Sequence, residues 1–504
     1  MKRLFIVLVA SLVLGLVGGV SRAWAGDGLL PPPPATTDQS ATQSNDGSNT
    51  ATQTAKSEPT VLSGPNVAIA NGSSCNPCGG DGTTTQNSGN NVDSSASNTA
   101  TQSNTQSNDA GQTQTVGSAT SGDPSQSLDQ SNNAENTADQ TATSKPVVIS
   151  GPNVAVLNSG NVNQNSGNDV ESSASNSADQ SNTQKNEAGQ SQTVSSGSCC
   201  HSGDGASQSA TQSNEASNDA NQTAKSEPVV ISGGNYAILN KGDVQQNSGN
   251  NVDSSASNDA NQSNYQQNSA GQSQTVADRN ACCDSHTNVS QSADQSNNAE
   301  NTANQTATSK PVVISGPNVA IGNGWFGGKC NPCGDGGGSV SQNSGNWVDS
   351  SASNTATQSN RQSNDLDQTQ TVTGGSGCCG KTGDVSQEAD QSNSADNTAN
   401  QRATSNPFVE SGDNVALLNK GDTSQNSGNW VDSSASNTAT QSNRQSNDLD
   451  QTQSVDRGDC CRNDCNPCNP CKPSCPPKCE PKPCEPKCSP CDGKYSSPRG
   501  VMLV

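Results

Sequence analysis

The strongest constraint on the fold of this chain is an internal repeat. The segment Gln-Asn-Ser-Gly-Asn-x-Val-(Asp/Glu)-Ser-Ser-Ala-Ser-Asn occurs five times, and its copies start 78, 82, 96 and 83 residues apart. They begin at Gln86, Gln164, Gln246, Gln342 and Gln425. In every copy a second valine follows the first by 24 residues, so the differences in length fall outside this block. Such a repeat predicts similar units that stack on one another.

A shorter motif predicts the local structure. Asn-x-Ala-x-Gln occurs ten times, usually 38–43 residues apart, which gives ten units of about 40 residues in two alternating types. In an extended chain residues i, i+2 and i+4 share a face, so Asn49, Ala51 and Gln53 point the same way. Amides stacked on identical amides form hydrogen-bonded ladders. The predicted ladder residues are Asn49, Gln53, Asn98, Gln102, Asn136, Gln140, Asn176, Gln180, Asn218, Gln222, Asn258, Gln262, Asn301, Gln305, Asn354, Gln358, Asn397, Gln401, Asn437 and Gln441.

The composition leaves two alternatives for the fold. Hydrophobic residues make up only 27% of the chain, against roughly 45–50% in ordinary globular proteins. The chain is therefore either a fold held mainly by hydrogen bonds or a largely disordered polar repeat. The strict register favours order, because a solvated linker needs no fixed spacing, and the abundance of Asn, Ser, Thr and Gly disfavours helix. We predict an all-β, repetitive β-solenoid with coils of roughly 20 residues, two per unit; twenty coils at ~4.8 Å would form a rod of roughly 100 Å.

A second, more apolar strand pair recurs in each copy of the long repeat. Pro-Val-Val-Ile-Ser-Gly-Pro-Asn-Val-Ala-Val-Leu-Asn spans residues 146–158, and its relatives begin at Pro59, Pro228, Pro311 and Pro407. The β-branched runs suit strands, and Ser-Gly-Pro-Asn is typical of a turn. Stacked on one another, these strands are expected to form a thin continuous apolar core.

The amide pattern resembles the curlin repeats of bacterial curli subunits, which are secreted and build adhesive amyloid fibres in biofilms. Curlin repeats follow Ser-x5-Gln-x4-Asn-x5-Gln, whereas Gln43, Asn49 and Gln53 give Gln-x5-Asn-x3-Gln, a spacing that recurs in four later units. The present unit is about twice as long as a curlin repeat and is accompanied by cysteines that curli subunits lack. The resemblance covers roughly residues 38–455 and implies a role in an extracellular fibre or matrix, in cell adhesion or biofilm.

The cysteines lie between the strand motifs and in the last part of the chain. In an exported protein they point to disulfides or intermolecular cross-links. Binding of soft metal ions by Cys-x-x-Cys pairs and redox activity are the alternatives. The twenty candidates are Cys75, Cys78, Cys199, Cys200, Cys282, Cys283, Cys330, Cys333, Cys378, Cys379, Cys460, Cys461, Cys465, Cys468, Cys471, Cys475, Cys479, Cys484, Cys488 and Cys491.

Four segments follow from these patterns. Residues 1–25 combine Lys2 and Arg3 with an apolar run and Ala23-Trp24-Ala25, as in a secretory signal peptide. Residues 26–37 form a Pro-rich linker, residues 38–457 the Asn/Gln/Ser-rich repeat body, and residues 458–504 a disordered Cys/Pro-rich tail. After signal removal we expect no transmembrane segment, and the protein is predicted to be secreted or held at the cell surface.

The sequence favours a structural function over catalysis. A net charge of −22 argues against nucleic-acid binding. Two histidines and the lack of a known catalytic motif argue against an enzyme. We expect no catalytic residue, cofactor-binding residue or cofactor, and we assign no metal ligand. The predicted function is a self-assembling, disulfide-cross-linked fibre, biofilm-matrix or surface component whose partners are further copies of itself or other surface proteins.

Two other functions stay open. One is a Cys-rich metal-binding or coat-linking protein in which the repeats are a spacer. The other is a surface- or ice-binding solenoid, which needs a regular threonine array. Thr113-x-Thr115 and Thr369-x-Thr371 fit that requirement, but the other units carry Ser at one of these positions. Trp347 and Trp430 are interpreted as local packing, with an exposed site for sugars or partners as the alternative.

Overall fold

The protein is a parallel β-solenoid of five coils. The computed structural model describes residues 38–69, 82–117, 123–196, 205–278, 288–323, 338–373 and 384–456, and all secondary structure there is β-strand. The predicted all-β repetitive fold is thereby confirmed, and the disordered alternative does not hold for these residues. The signal peptide, linker and Cys/Pro-rich tail lie outside the described residues.

Each coil contributes five strands, of which the first and the fifth are long and the middle three are short. The first coil contains β1 (Gln39–Ser57), β2 (Thr60–Leu62), β3 (Asn66–Ile69), β4 (Thr84–Asn87) and β5 (Asn91–Val116). The second contains β6 (Ser125–Ser144), β7 (Val147–Ile149), β8 (Asn153–Val156), β9 (Val162–Asn165) and β10 (Asp169–Ser196). The third contains β11 (Ala206–Ser226), β12 (Val229–Ile231), β13 (Asn235–Ile238), β14 (Val244–Asn247) and β15 (Asn251–Asp278). The fourth contains β16 (Val289–Ser309), β17 (Val312–Ile314), β18 (Asn318–Ile321), β19 (Val340–Asn343) and β20 (Trp347–Thr373). The fifth contains β21 (Val385–Ser405), β22 (Phe408–Glu410), β23 (Asn414–Leu417), β24 (Thr423–Asn426) and β25 (Trp430–Asp456).

Every strand pairs in parallel with its counterpart in the next coil, which gives five sheets of five strands. The register places equivalent residues of the repeat on one another: Asn49 pairs with Asn136, and Val170 pairs with Val252. The differences in length between repeats are absorbed between the strands. The sequence repeat is thus a stack of matching side chains, the arrangement in which amide ladders form.

The two long strands of a coil run in opposite directions and face each other across the interior. In the first coil Asn45 Nδ2 lies 2.8 Å from Asn108 Oδ1, and Asn49 Nδ2 lies 2.6 Å from Asn104 Oδ1. The second strand faces the start of the fifth, and the third faces the fourth, through columns of small apolar side chains. Each coil is therefore a flattened loop with three strands on one side and two on the other.

The predicted coil size is wrong. A coil contains one 40-residue unit of each type, the first type in its first strand and the second type in its fifth strand, so there are five coils and not twenty. At a strand spacing of ~4.8 Å the stack is about 20 Å high, well short of the predicted rod. The reason is strand length. Alternating small and polar residues continue without proline for 28 residues in β10, far beyond the five-residue motif.

The interior combines apolar columns with buried amides. Valines of the fifth strands pack against Val148 and its counterparts, and two further clusters consist of alanine alone. The apolar strand pair supplies only part of this core. Val148 and Ala155 are fully buried, whereas Val147, Ile149 and Val154 alternate to the outer side. The thin continuous core predicted from these strands is formed by their inward residues, Val148 and Ala155 with their counterparts, and the outward half lies outside it.

Glycine is required where the chain bends before the fifth strand. A Cβ on Gly167 would lie 2.1 Å from the carbonyl oxygen of Gly249, and a Cβ on Gly249 would lie 2.0 Å from that of Gly345. Backbones of successive coils approach each other there too closely for any side chain. This close approach explains why Ser-Gly-Asn recurs in every copy of the long repeat.

Candidate assembly surface

The structure arranges all twenty predicted ladder residues in four ladders. Within each ladder four hydrogen bonds of 2.8–3.0 Å join the five side chains, and the residue at one end donates to no counterpart. The asparagine ladders contain Asn49, Asn136, Asn218, Asn301 and Asn397, and Asn98, Asn176, Asn258, Asn354 and Asn437. The glutamine ladders contain Gln53, Gln140, Gln222, Gln305 and Gln401, and Gln102, Gln180, Gln262, Gln358 and Gln441.

The ladder amides also bind across the interior. Gln180 Nε2 donates to Gln102 Oε1 at 2.9 Å and to the carbonyl oxygens of Asn136 and Asp219 at 3.0 and 2.9 Å. Asn136 Nδ2 donates to Asn182 Oδ1 at 2.8 Å in addition to its ladder bond. Buried amides are tolerated because these bonds replace the water they lose. The two sheets are thereby joined by side-chain hydrogen bonds along their length.

Sequence reasoning missed further ladders of the same kind. Asn182 donates to Asn264 at 3.1 Å, and Gln272 donates to Gln190 at 2.9 Å, both outside the five-residue motif. The signal was present as a two-residue alternation of Asn and Gln that continues through the long strands. The Asn-x-Ala-x-Gln motif covers only the part of this alternation in which alanine stands between the amides.

The ladders have a direction. The two asparagine ladders of the Asn-x-Ala-x-Gln motif donate toward the next coil along the chain, as Asn176 does to Asn258. The ladder of Asn87, Asn165, Asn247, Asn343 and Asn426 donates in the opposite direction. Each glutamine ladder donates toward the preceding coil, as Gln262 does to Gln180. Among the described residues, the first coil therefore ends with asparagine oxygens and glutamine N–H groups that have no ladder partner. The fifth coil ends with the complementary set, asparagine N–H groups and glutamine oxygens.

The fifth coil is an open end of the stack. Val431 and Leu449 in β25 are 43% and 42% exposed, whereas their counterparts in β20, Val348 and Leu366, are fully buried. The residues at these positions are identical and the register is continuous, so the difference comes from the lack of a further strand beyond β25 among the described residues. The inward side of an entire sheet edge is thus accessible to a partner.

The first coil presents nearly the same inward side chains as the fifth. Through the register, inward residues of β1 match those of β21 except that Gly47 stands for Ala395. Inward residues of β5 match those of β25 except that Ala110 stands for Leu449. The first coil of another copy would therefore supply what a sixth coil would supply.

Carboxylates form columns on the outer faces. Asp253 lies between Glu171 and Asp349 of the neighbouring coils, and burial, then Asp349 and Glu171, raise the pKa of Asp253. Burial, then Asp367, Asp448 and Asp450, likewise raise the pKa of Asp365. These columns introduce repulsion between coils, which the ladders and the apolar columns have to overcome.

The tryptophan and threonine candidates lie on the outer side of the fifth strands. Trp347 and Trp430 contact each other with ring centroids 4.3 Å apart, and both stay about half exposed. The predicted threonine positions lie on the outer side of the fifth strands, where Thr113 is followed by Ser191 and Ser273 in the next coils. No group of three His, Cys, Asp or Glu side chains in the described ranges is placed to hold a metal ion.

All twenty cysteines, and both histidines, lie outside the described residues. The predicted disulfides or cross-links of the cysteines, and the alternative of metal binding by them, therefore fall outside the described residues. In the part of the chain that the structure describes, no helix has the length and apolar character needed to cross a membrane.

Comparisons with known proteins returned no match, neither among protein-family models nor among curated proteins nor among solved structures. What the chain does therefore has to follow from its own residues. The most distinctive feature of the described residues is that the two ends of the stack carry complementary ladder donors and acceptors.

Proposed function

We propose that the protein is an extracellular structural protein whose copies stack end to end into fibres. The observation that carries this proposal is the exposure of Val431 and Leu449 in the fifth coil where identical residues of the fourth coil are fully buried. Open sheet edges pair with further strands unless they are covered. The first coil of a second copy offers matching side chains in the same register.

The direction of the ladders makes the proposed fibre polar. Asn437 N–H groups of one copy would meet Asn98 oxygens of the next, and Gln102 N–H groups would meet Gln441 oxygens. Two fifth coils placed face to face would instead bring donors against donors and acceptors against acceptors, which leaves buried polar groups without partners. Head-to-tail stacking is therefore favoured over head-to-head stacking.

Charge and cysteines would regulate and secure such a fibre. A net charge of −22 opposes the approach of two copies, and salt screens this repulsion. The cysteine-rich residues 458–504 follow directly after the fifth coil in sequence, which suits covalent linkage between successive copies in an oxidising compartment. The resemblance to curlin repeats supports a place in a biofilm matrix or on a cell surface.

Electron microscopy and light scattering of the full chain test the proposal. We expect filaments that lengthen with salt and give a fibre-diffraction spacing of ~4.7–4.8 Å along the filament axis. Reduction should remove covalent linkage without abolishing stacking. A chain that stays monomeric at high salt under oxidising conditions would overturn the proposal.

A matched pair of variants locates the contact. Ala435→Lys places a charge on the inward side of β25, where the counterpart Ala352 in β20 is buried. Ser436→Lys places the same charge on the outer side of the same strand. We expect the first variant to block filaments while the coil stays folded, and the second to form them as the parent chain does.

A further inference from the structure

The outer side of the short second and third strands is apolar in every coil. In the second coil it presents Val147 and Ile149 of β7 and Val154 of β8, and the register places their counterparts above and below them. Over the five coils, every outward residue of β2, β3, β7, β8, β12, β13, β17, β18, β22 and β23 is Val, Ile, Leu, Phe or Tyr, apart from Thr60 and Glu410. We name this surface the apolar face.

The apolar face is open to solvent. Leu62 and Ile69 in the first coil are 68% and 64% exposed, and Phe408 in the fifth is 55% exposed. In the second, third and fourth coils the equivalent side chains of the second strands are half-buried. Outward positions of the long strands carry mainly Ser, Thr, Asn and Asp. A contiguous apolar patch on an otherwise polar, strongly charged protein marks an interaction site.

The backbone conformation of three leucines is a second observation that supports an interaction site. Leu157, Leu239 and Leu418 have φ values of 60°, 58° and 55°, at the turn directly after the third strand. Leucine disfavours this left-handed conformation, whereas glycine adopts it freely, as Gly322 does at the same turn of the fourth coil with φ of 66°. Leu157 and Leu418 are 48% and 65% exposed. Large apolar side chains are thus held, at a conformational cost, where burial inside the chain does not explain them.

We propose that the apolar face docks a second copy of this chain, side by side with the first. Five rows at ~4.8 Å and about ten residues along the strands give roughly 700 Å², close to the ~800 Å² per partner of a stable complex. The rows repeat at the strand spacing, so only a partner with that spacing can fit a side chain between every pair of rows. A second copy has it, and dry interdigitated sheets of this kind are stable.

Charge also favours this contact between copies. The apolar face contains a single carboxylate, Glu410, although the chain as a whole carries a net charge of −22. Two copies that meet there keep the carboxylate columns of their fifth strands apart, while the carboxylates of the first strands, such as Asp219, lie beside the apolar face and outside it. The contact lies on the side of the stack and leaves the ends open, so it does not depend on end-to-end assembly.

The test uses the full chain with Ala435→Lys, which blocks the open end, under reducing conditions that remove disulfide linkage. Sedimentation equilibrium should give a dimer that dissociates on dilution. Adding Val154→Lys and Val319→Lys, in the third strands of the second and fourth coils, should weaken dimerisation at least tenfold. Adding Ser175→Lys and Ser353→Lys, outward in the fifth strands of the same coils, should leave it unchanged.

Circular dichroism serves as the control that each variant keeps its strand content. The proposal is overturned if the end-blocked chain is monomeric at every concentration, or if both pairs of lysines weaken dimerisation equally. A third outcome also overturns it: an end-blocked monomer that binds phosphatidylcholine vesicles through the apolar face would assign that face to a lipid surface.

Discussion

The fourth and fifth coils show how far burial depends on neighbours. Strands β20 and β25 differ at only two of 27 positions. Nevertheless, inward residues of β20 such as Ala356 are buried, whereas β25 is exposed along its whole length. The same sequence is therefore a core strand in one place and an edge strand in the next, and a further coil would convert the second into the first.

The largest expected effect comes from a charge placed inside the fourth coil. Ala356→Lys buries an ammonium group without a partner, so we expect a loss of about 3–5 kcal/mol in the free energy of unfolding. Ala439→Lys, at the equivalent position of β25, leaves the charge in solvent and should cost under ~1 kcal/mol. Chemical denaturation followed by circular dichroism measures both. Equal losses would mean that β25 is covered.

The next effect concerns the bend before the fifth strand. Gly249→Ala sets a Cβ against the carbonyl oxygen of Gly345, whereas the nearest atom to a Cβ on Gly428 is Asn426 Oδ1 at 3.6 Å. We expect Gly249→Ala to cost about 2–3 kcal/mol and Gly428→Ala to be nearly neutral in the isolated chain. Denaturation midpoints compare the two.

The glycine pair also tests the end-to-end stack. In a filament Gly428 would meet Gly89 of the next copy as Gly345 meets Gly428 within the chain. Gly428→Ala should therefore shorten filaments while the stability of the single chain is kept. Filaments of unchanged length would contradict the in-register junction.

A smaller effect is expected for the ladders. Asn258→Ala or Gln262→Ala leaves the amides of two neighbouring coils without one bond each, at a cost of about 1–3 kcal/mol for each substitution. Ser257→Ala, on the outer side of the same strand, is the matched control and should be nearly neutral. Equal losses at inward and outward positions would show that the ladder bonds contribute little.

Asn437→Ala sharpens the comparison between coils. It removes only one ladder bond, to Asn354, and sits in an exposed strand. Its loss in the single chain should be clearly below that of Asn258→Ala. Thermal unfolding of the two variants under identical conditions compares their losses of stability.

The side of a strand on which a residue lies could be predicted from the sequence, whereas the pairing between coils could not. The positions of Asn49 and Gln53 on one face follow from two-residue periodicity, because an extended chain has no other way to place them. The length of a coil does not follow from the sequence, because the local pattern does not determine which later copy of the motif pairs with Asn49. In the structure it is Asn136. A period of 40 or 80 residues satisfies the same local pattern.

The outward half of the apolar strand pair was not predicted, for a related reason. Val147, Val148 and Ile149 are equally apolar, and a strand must turn two of the three away from the interior. The sequence predicted one stacked apolar stripe and gave no partner for the outward pair. An open edge at each end follows from stacking itself, although nothing in the nearly identical sequences of β20 and β25 marks β25 as the edge.

The smallest expected effect is the dependence on pH that the carboxylate columns introduce. Burial first, then the neighbouring carboxylates, raise the pKa of Asp253 and of Asp365 above the ordinary value of 3.8. A carboxyl group with a raised pKa keeps its proton longer in the folded chain than in the unfolded chain. The folded state is therefore penalised above the raised pKa, and the penalty disappears as the pH falls through it.

We expect the free energy of unfolding to rise modestly as the pH falls from neutrality toward the ordinary aspartate range, with longer filaments over the same interval. Asp253→Asn with Asp365→Asn should flatten this rise, because asparagine stacks without charge, as Asn251 does when it donates to Asp169 at 2.8 Å. High salt should reduce the repulsive part of the effect in the parent chain and change the double variant less. A folded chain that loses stability over this interval would show that the columns do not oppose stacking.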